Sequence, residues 1–236
     1  VSSKGPKQVI YAGLVGNQVD DLINRGNKYI KLGVDVIVST LPSYYTLNPE
    51  QMVNFYTMLA DRIEGPVMMY NIKSTTQMSI PVDIIHQLSM HPNIWGLKDS
   101  ERDTDRLKIL INSYKNRSDF SFFCGWGAQG AKSLEMGADG IVPSTGNIVP
   151  ELYRMLYQAY QIGDFNKADY FQAETDEVAS IYQKGKTLGE SLAALKVLMN
   201  EKNICETTMM PPLTQLSEQE SNNVRQKFIN YLKSKQ

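Results

Sequence analysis

The chain has 236 residues, of which 42% are hydrophobic and 21% charged, a balance that suits one barrel-sized domain or two small ones. Its 24 basic and 25 acidic residues leave a net charge of -1, so there is no electrostatic case for nucleic acid or an anionic membrane as partner. Two cysteines, Cys124 and Cys205, and two histidines, with no CxxC spacing, argue against a structural metal site.

Val1 to Lys7 is polar and contains Gly5-Pro6, which reads as a linker or a frayed helix end. Residues 9–14 read as a strand. Residues 18–32 read as a helix with Val19, Leu22, Ile23, Tyr29 and Ile30 on its apolar stripe and Gly33 as C-cap. The β-branched run that follows predicts a buried strand over 35–41. Asn48-Pro49-Glu50 supplies an N-cap and a first-turn proline, so a helix is expected from there to about Ile63. The cycle then repeats. Strands are expected at 67–72, 94–99, 120–125 and 140–143, and helices at about 81–90, 103–115, 129–136 and 150–161. This alternation predicts an α/β fold with a parallel sheet and right-handed crossovers, in six βα units. Beyond Gly163 only helical patterns remain, at about 164–183, 187–202 and 217–236. The expected division is therefore a βα region over 1–163 and a helical region over 164–236.

Within this frame, Ile94-Trp95-Gly96-Leu97 is a short apolar run that ends in a cation, Lys98. Strand alternation puts Ile94, Gly96 and Lys98 on one face and Trp95, Leu97 and Asp99 on the other. Gly96 is expected to leave room beside the lysine for a small carbonyl compound. Partial burial disfavours an ammonium, and a neutral amine can attack a ketone to form a Schiff base. The plainer alternative is a lysine that ends the strand and snorkels to solvent.

The motif Gly96-Leu97-Lys98-Asp99-Ser100 resembles the Schiff-base motif of the dihydrodipicolinate synthase and N-acetylneuraminate lyase family. Three more stretches resemble that family, in its order. Pro42-Ser43-Tyr44-Tyr45 is similar to its Pro-x-Tyr-Tyr loop, Val67 to Ile72 to its strand ending in Tyr-Asn, and Gly137 to Ile148 to its last barrel strand. The similarity runs from about residue 8 to the C-terminus. It implies a TIM (β/α)8 barrel, here units three to eight, with a C-terminal helical extension. It also implies a pyruvate-handling class I aldolase. Lys98 would be the Schiff-base lysine and Tyr70 the proton shuttle. Tyr44 would be a relay tyrosine that, in tetramers, reaches into the neighbouring subunit's site. A homo-oligomer (dimer or tetramer), keto-acid and aldehyde substrates, and no metal or organic cofactor follow from the same resemblance.

A barrel has eight strands, which would place two βα units, roughly 60 residues, before Val1. The chain is thus expected to be part of a protein of roughly 300 residues, with a decayed barrel as the alternative. The family's Gly-Thr-Thr-Gly-Glu loop, which binds the pyruvate carboxylate, has no match here. Lys186 to Glu190 lies in a helical pattern and is no substitute.

Other positions bear on the substrate. Thr75 stands where the dihydrodipicolinate synthases carry an arginine for the aldehyde's carboxylate, and a threonine cannot make that bidentate contact. Lys73 replaces a loop proline and is either an acid-binding cation or a solvated one. Arg102 is a candidate for a sugar-acid carboxylate, or for a salt bridge to Glu101 or Asp105. Trp126 could stack on a sugar or plug the barrel, and Ser144, Thr145 and Asn147 suit hydrogen bonds to a polyol. His86 and His91 read as structural, and the eleven methionines as core. The expected function is a lyase acting on a 2-keto-3-deoxy sugar acid or a sialic-acid-like compound. Dihydrodipicolinate synthase is the alternative within the family, and a non-catalytic ligand-binding barrel the alternative from another class. No apolar run reaches the ~18 residues of a membrane span, and a cytoplasmic location is expected.

Overall fold

Six strands pair in chain order as one parallel sheet: β1 Tyr11–Leu14, β2 Val36–Thr40, β3 Val67–Asn71, β4 Ile94–Asp99, β5 Ser121–Cys124 and β6 Gly140–Ile141. The structure is a computed structural model and describes residues 1–235. Helices α1 Val19–Lys31, α2 Pro49–Arg62, α3 Lys73–Thr76, α4 Val82–Leu88, α5 Thr104–Tyr114 and α6 Gly130–Met136 lie between successive strands. They are followed by α7 Pro150–Gln161, α8 Phe165–Gln183, α9 Leu188–Glu201 and α10 Glu218–Ser234. The α/β alternation and the sequential parallel order of a barrel are therefore present.

The chain forms two compact units. One comprises Val1–Trp126 and Ser133–Val142, the other Gly127–Lys132 and Pro143–Gln236. The boundary falls before α7, not at Gly163 as the division into 1–163 and 164–236 expects. The reason lies in α7, whose Leu152 and Tyr153 pack on the core of the second unit with Val178, Tyr182, Leu198 and Phe228. In the first unit the helices cover one face of the sheet. Ile37, Val67, Met69, Leu97 and Phe122 pack there against Phe55, Leu59, Ile85 and Leu110. Each such side chain contributes roughly 1.5–3 kcal/mol when fully buried.

The helix starts follow local chemistry. Asn48 caps α2 in a reciprocal capping box with Gln51, and Pro49 occupies the first turn. Asp103 caps α5, its Oδ1 accepting from the backbone N–H groups of Asp105 at 2.9 Å and Arg106 at 3.0 Å. Thr187 and Glu190 form the capping box of α9. Those two residues of the Lys186–Glu190 stretch thus serve a helix end. Two short turns lie outside the expected elements, α3 and a 3₁₀ turn at Ser144–Asn147, and a third, the 3₁₀ turn Gly127–Gln129, runs into the expected helix start at Gln129. β6 is shorter than expected: Val142 N–H still donates to Cys124 O at 2.9 Å, and a 3₁₀ turn begins at Ser144. Among the described residues no helix is long and apolar enough to cross a membrane.

One local feature overturns simple alternation in β4. Val67 pairs with Ile94, whereas Met68 pairs with Gly96, so Trp95 is an extra residue in the ladder. Ile94 therefore joins Val67 and Leu97 in the helix-packed core rather than sharing the face of Lys98. Trp95 turns outward, half exposed, with its indole N–H bonded to Pro92 O at 3.1 Å.

Candidate active site

Past the bulge the register is regular, and Tyr70 of β3 pairs with Lys98 of β4. Register partners in a parallel ladder project to the same face. Lys98 Nζ lies 4.1 Å from the centroid of the Tyr70 ring, a cation–π contact. Both side chains are half-buried. The nearby carboxylates are directed elsewhere, Asp99 to Arg106 and Glu101 to Arg106 and Lys73. Among the described residues, Lys98 has no ion-pair partner. Phe123, its register partner on β5, meets the Tyr11 ring edge-on at 5.7 Å and adds an apolar wall to this face.

Gly96 does not leave an empty space. A Cβ there would run into the Ser121 carbonyl oxygen and, at 2.7 Å, Met68 Cε. Glycine is needed because β5 and Met68 already fill the position. Gly96 therefore supplies no room beside Lys98. The same close approach recurs at Gly125, whose N–H donates to Asp99 O at 2.7 Å and where a Cβ would collide with Ser100 Oγ. It draws the ends of β4 and β5 together.

On the opposite face, one residue further along each strand, lies a buried ionic network. Asn71 Nδ2 donates to Asp99 Oδ2 at 3.0 Å and Glu101 Oε2 at 3.0 Å, and Asn71 Oδ1 accepts Ile80 N–H at 3.0 Å. Asp99 Oδ1 accepts Glu101 N–H at 2.9 Å, and Ser79 Oγ donates to Glu101 at 2.5 Å. Arg106 of α5 reaches Asp99 Oδ2 with Nε at 2.9 Å. Its Nη2 is also 2.9 Å from that oxygen but off the hydrogen-bond direction, so it supplies charge without a directed bond. Burial pushes the Asp99 carboxyl above its ordinary pKa, outweighing Arg106 and the hydrogen bonds that act the other way. Glu101 is less enclosed. Burial raises it too, but bonds from Ser79 and Asn71 and the Arg106 charge bring it below the ordinary value. Beneath this end of the sheet the fully buried Tyr56 hydroxyl donates to Ser39 O at 3.0 Å, and burial holds its pKa well above normal.

The remaining candidates are placed as follows. Tyr44 and Tyr45 are exposed and meet edge-to-face at 4.7 Å. Their loop is held by Asn17 Oδ1, which accepts from Ser43 and Tyr44 N–H. Thr75 lies in α3 with its hydroxyl bonded to Ile72 O at 3.2 Å. Lys73 pairs with Glu101 at 3.4 Å, so the acid group it meets belongs to the chain itself. Arg102 is exposed, and neither expected partner takes it, since Asp105 pairs with Lys108. Trp126 is half-buried against the core of the first unit, which favours its packing role. In the second unit, Ser144 and Thr145 both bond the Tyr182 hydroxyl, at 2.7 and 2.9 Å, and Thr145 is 2% exposed. Thr145 therefore has no free hydroxyl for a polyol. Asn147 is exposed and donates to Ser144 O at 2.9 Å. His86 Nδ1 bonds the Tyr114 hydroxyl, and His91 bonds Asp61, as structural residues do.

Sequence reasoning missed Asn71, Ser79 and Arg106. The signal was available in part. Asp99 alternates onto the helix-packed face, where a carboxylate needs a partner, and Arg106 stands in the first turn of the next helix.

Compared with known proteins, residues 3–230 match the model of the dihydrodipicolinate synthetase family. A probable 2-dehydro-3-deoxy-D-pentonate aldolase of Escherichia coli K12 is 25% identical over 218 residues, which are 91% of this chain and 71% of that protein. A 4-hydroxy-tetrahydrodipicolinate synthase of Macrococcus caseolyticus is 30% identical over 153 residues, 65% of this chain and 51% of that protein. Among solved structures, the dihydrodipicolinate synthase of Bacteroides thetaiotaomicron superposes with a TM-score of 0.87 at 24% identity, covering 95% of this chain and 76% of that one. That likeness shows the fold.

Proposed function

The chain belongs to the dihydrodipicolinate synthetase family, whose relatives are lyases, and on that premise we propose that it is a Schiff-base aldolase with Lys98 as the nucleophile. The observation that carries this reading is the Lys98–Tyr70 pair: an amine without a carboxylate partner among the described residues, 4.1 Å from the ring of a phenol on the adjacent strand. Lys98 Nζ adds to the keto carbon of a 2-keto acid, and loss of water gives an iminium. The iminium accepts the electron pair of the bond between its α- and β-carbons as that bond breaks. The β-hydroxyl loses its proton, and the fragment that carries it leaves as an aldehyde. Tyr70 carries this proton to the α-carbon of the resulting enamine, and hydrolysis frees pyruvate and Lys98. The chemistry asks for no metal or organic cofactor.

The substrate class we propose is a 2-keto-3-deoxy sugar acid or a sialic-acid-like compound. The pentonate aldolase relative supports the former. The 4-hydroxy-tetrahydrodipicolinate synthase relative favours a second reading, condensation with an amino-aldehyde acid. Thr75 counts against it, because its hydroxyl is bonded to Ile72 O and offers no guanidinium. The exposed Tyr44–Tyr45 pair supports a homo-oligomer in which another copy covers these rings.

In the natural full-length protein, pyruvate with borohydride should fix a reduced pyruvyl group on Lys98, found by peptide mass, and inactivate the enzyme. Lys98→Ala should abolish labelling and cleavage while the protein still folds. Labelling at another residue, or none while substrate turns over, would overturn the mechanism.

A further inference from the structure

Tyr70 and Lys98 are register partners, and so are the residues that follow them, Asn71 and Asp99. The first pair faces the proposed site, and the second faces the helices. Side chains that tie these two strand ends together thus lie on the other side of the sheet. Asn71 is the junction. It is 1% exposed, and all three of its side-chain bonds go to different segments: the end of β4 at Asp99, the loop after it at Glu101, and the chain leading into α4 at Ile80. Its backbone carbonyl takes a fourth, from Ser100 N–H at 2.9 Å. Arg106 then anchors Asp99 to α5. A slip or twist of either strand end would leave several of these buried groups unpaired, so the network has one favourable arrangement.

We propose that Asn71 is a positioning residue that locks the ends of β3 and β4 from the helix-packed face and so keeps the Tyr70 ring over Lys98 Nζ. Its catalytic consequence rests on the Schiff-base reading; its geometric part does not. A proton carrier displaced by about 1 Å can lose ~10²-fold in rate.

The test uses the natural full-length protein in four forms: unsubstituted, Asn71→Ala, Tyr70→Phe and the double variant. The first readout is NMR of ¹³C-labelled lysine, with the Lys98 signal assigned by its loss in Lys98→Arg. The ε-methylene protons of Lys98 should be shifted upfield by the aromatic ring in the unsubstituted protein and in Tyr70→Phe, and this shift should collapse in Asn71→Ala. The second readout is kinetic. Asn71→Ala should lower kcat on the order of 10–10²-fold with KM changed by less than about 3-fold. With Tyr70→Phe already present, the same change should cost under about 2-fold, because the group being positioned is gone. A persistent upfield shift in Asn71→Ala, or an equal fall in kcat in both backgrounds, overturns the proposal. If Asn71→Ala does not fold, Ser79→Ala, which removes one donor to Glu101, goes through the same cycle. It should show a smaller loss with the same dependence on Tyr70, and an unchanged shift and rate there overturn the proposal equally. Collapse of the shift in a protein whose Lys98 is never trapped by pyruvate and borohydride supports the positioning role and removes the Schiff-base reading. Trapping with a persistent shift does the reverse.

Discussion

On one face of the β3–β4 strand ends, Tyr70 and Lys98 touch through a ring and an amine, and Lys98 has no ion-pair partner among the described residues. On the other face, one residue on, Asn71 and Asp99 sit in a network joined by Ser79, Glu101 and Arg106. The two faces carry similar kinds of groups and differ in how far those groups are satisfied. A buried group whose bonds are all made is fixed and chemically quiet. A half-buried amine with only a ring for company can still form a bond with something else. The difference separates the groups that hold the site from those that can react in it. Thr145 falls on the holding side of this distinction, since it is buried and its hydroxyl is bonded to Tyr182.

The contrast predicts opposite consequences for removing a group from either face. Tyr70→Phe, on the proposed reacting face, should lower kcat by ~10²–10⁴-fold, the usual share of proton transfer, with little loss of stability. Some borohydride trapping at Lys98 should remain, and steady-state kinetics beside a urea melt would separate the two effects. A large drop in stability with modest change in rate would place Tyr70 with the structural groups. Arg106→Leu, on the holding face, should do the converse. Asp99 would stay buried without its cation, a change that typically costs ~3–5 kcal/mol. Equilibrium unfolding in urea measures it, and a loss below about 1 kcal/mol would show that Asn71 and the Glu101 N–H suffice for Asp99.

The smallest expected effect concerns pH. Glu101 is held below its ordinary pKa, so the stability it contributes is present above the unfolded carboxylate range and is lost as pH falls through its folded value. Asp99 has the opposite sign: its folded pKa is raised, so its contribution is present at low pH and is lost as pH rises through that value. Glu101→Gln should therefore lower Tm at neutral pH and flatten the acid side of the Tm–pH curve. An unchanged acid limb would mean that other carboxylates, such as Asp35 bonded to Lys4 and Ile10 N–H, carry the acid sensitivity.

Periodicity and end signals were enough to locate all six strands and the longer helices, because apolar spacing and caps are local properties of the chain. β4 at Ile94–Asp99 and α7 at Pro150–Gln161 fall within the expected bounds. The family motifs also picked out Lys98 and Tyr70 before any contact between them was visible. What could not be read locally was the company each side chain keeps. The bulge at Trp95 depends on how β4 meets β3, and it moved Ile94 to the other face. Gly96 looked like a vacancy in one strand and is a collision avoided between two. Lys73 met Glu101, Thr145 met Tyr182, and Asn71 became the junction behind the site, each through a partner 28 or more residues away in the chain. Sequence by itself determined the order of elements, since apolar spacing and end signals are local, and its family motifs put forward Lys98 and Tyr70 as the candidates for the chemistry. Tertiary structure decided which of those groups are satisfied by a neighbour and which remain free to react, since hydrogen bonds and ion pairs form between segments brought together only by folding.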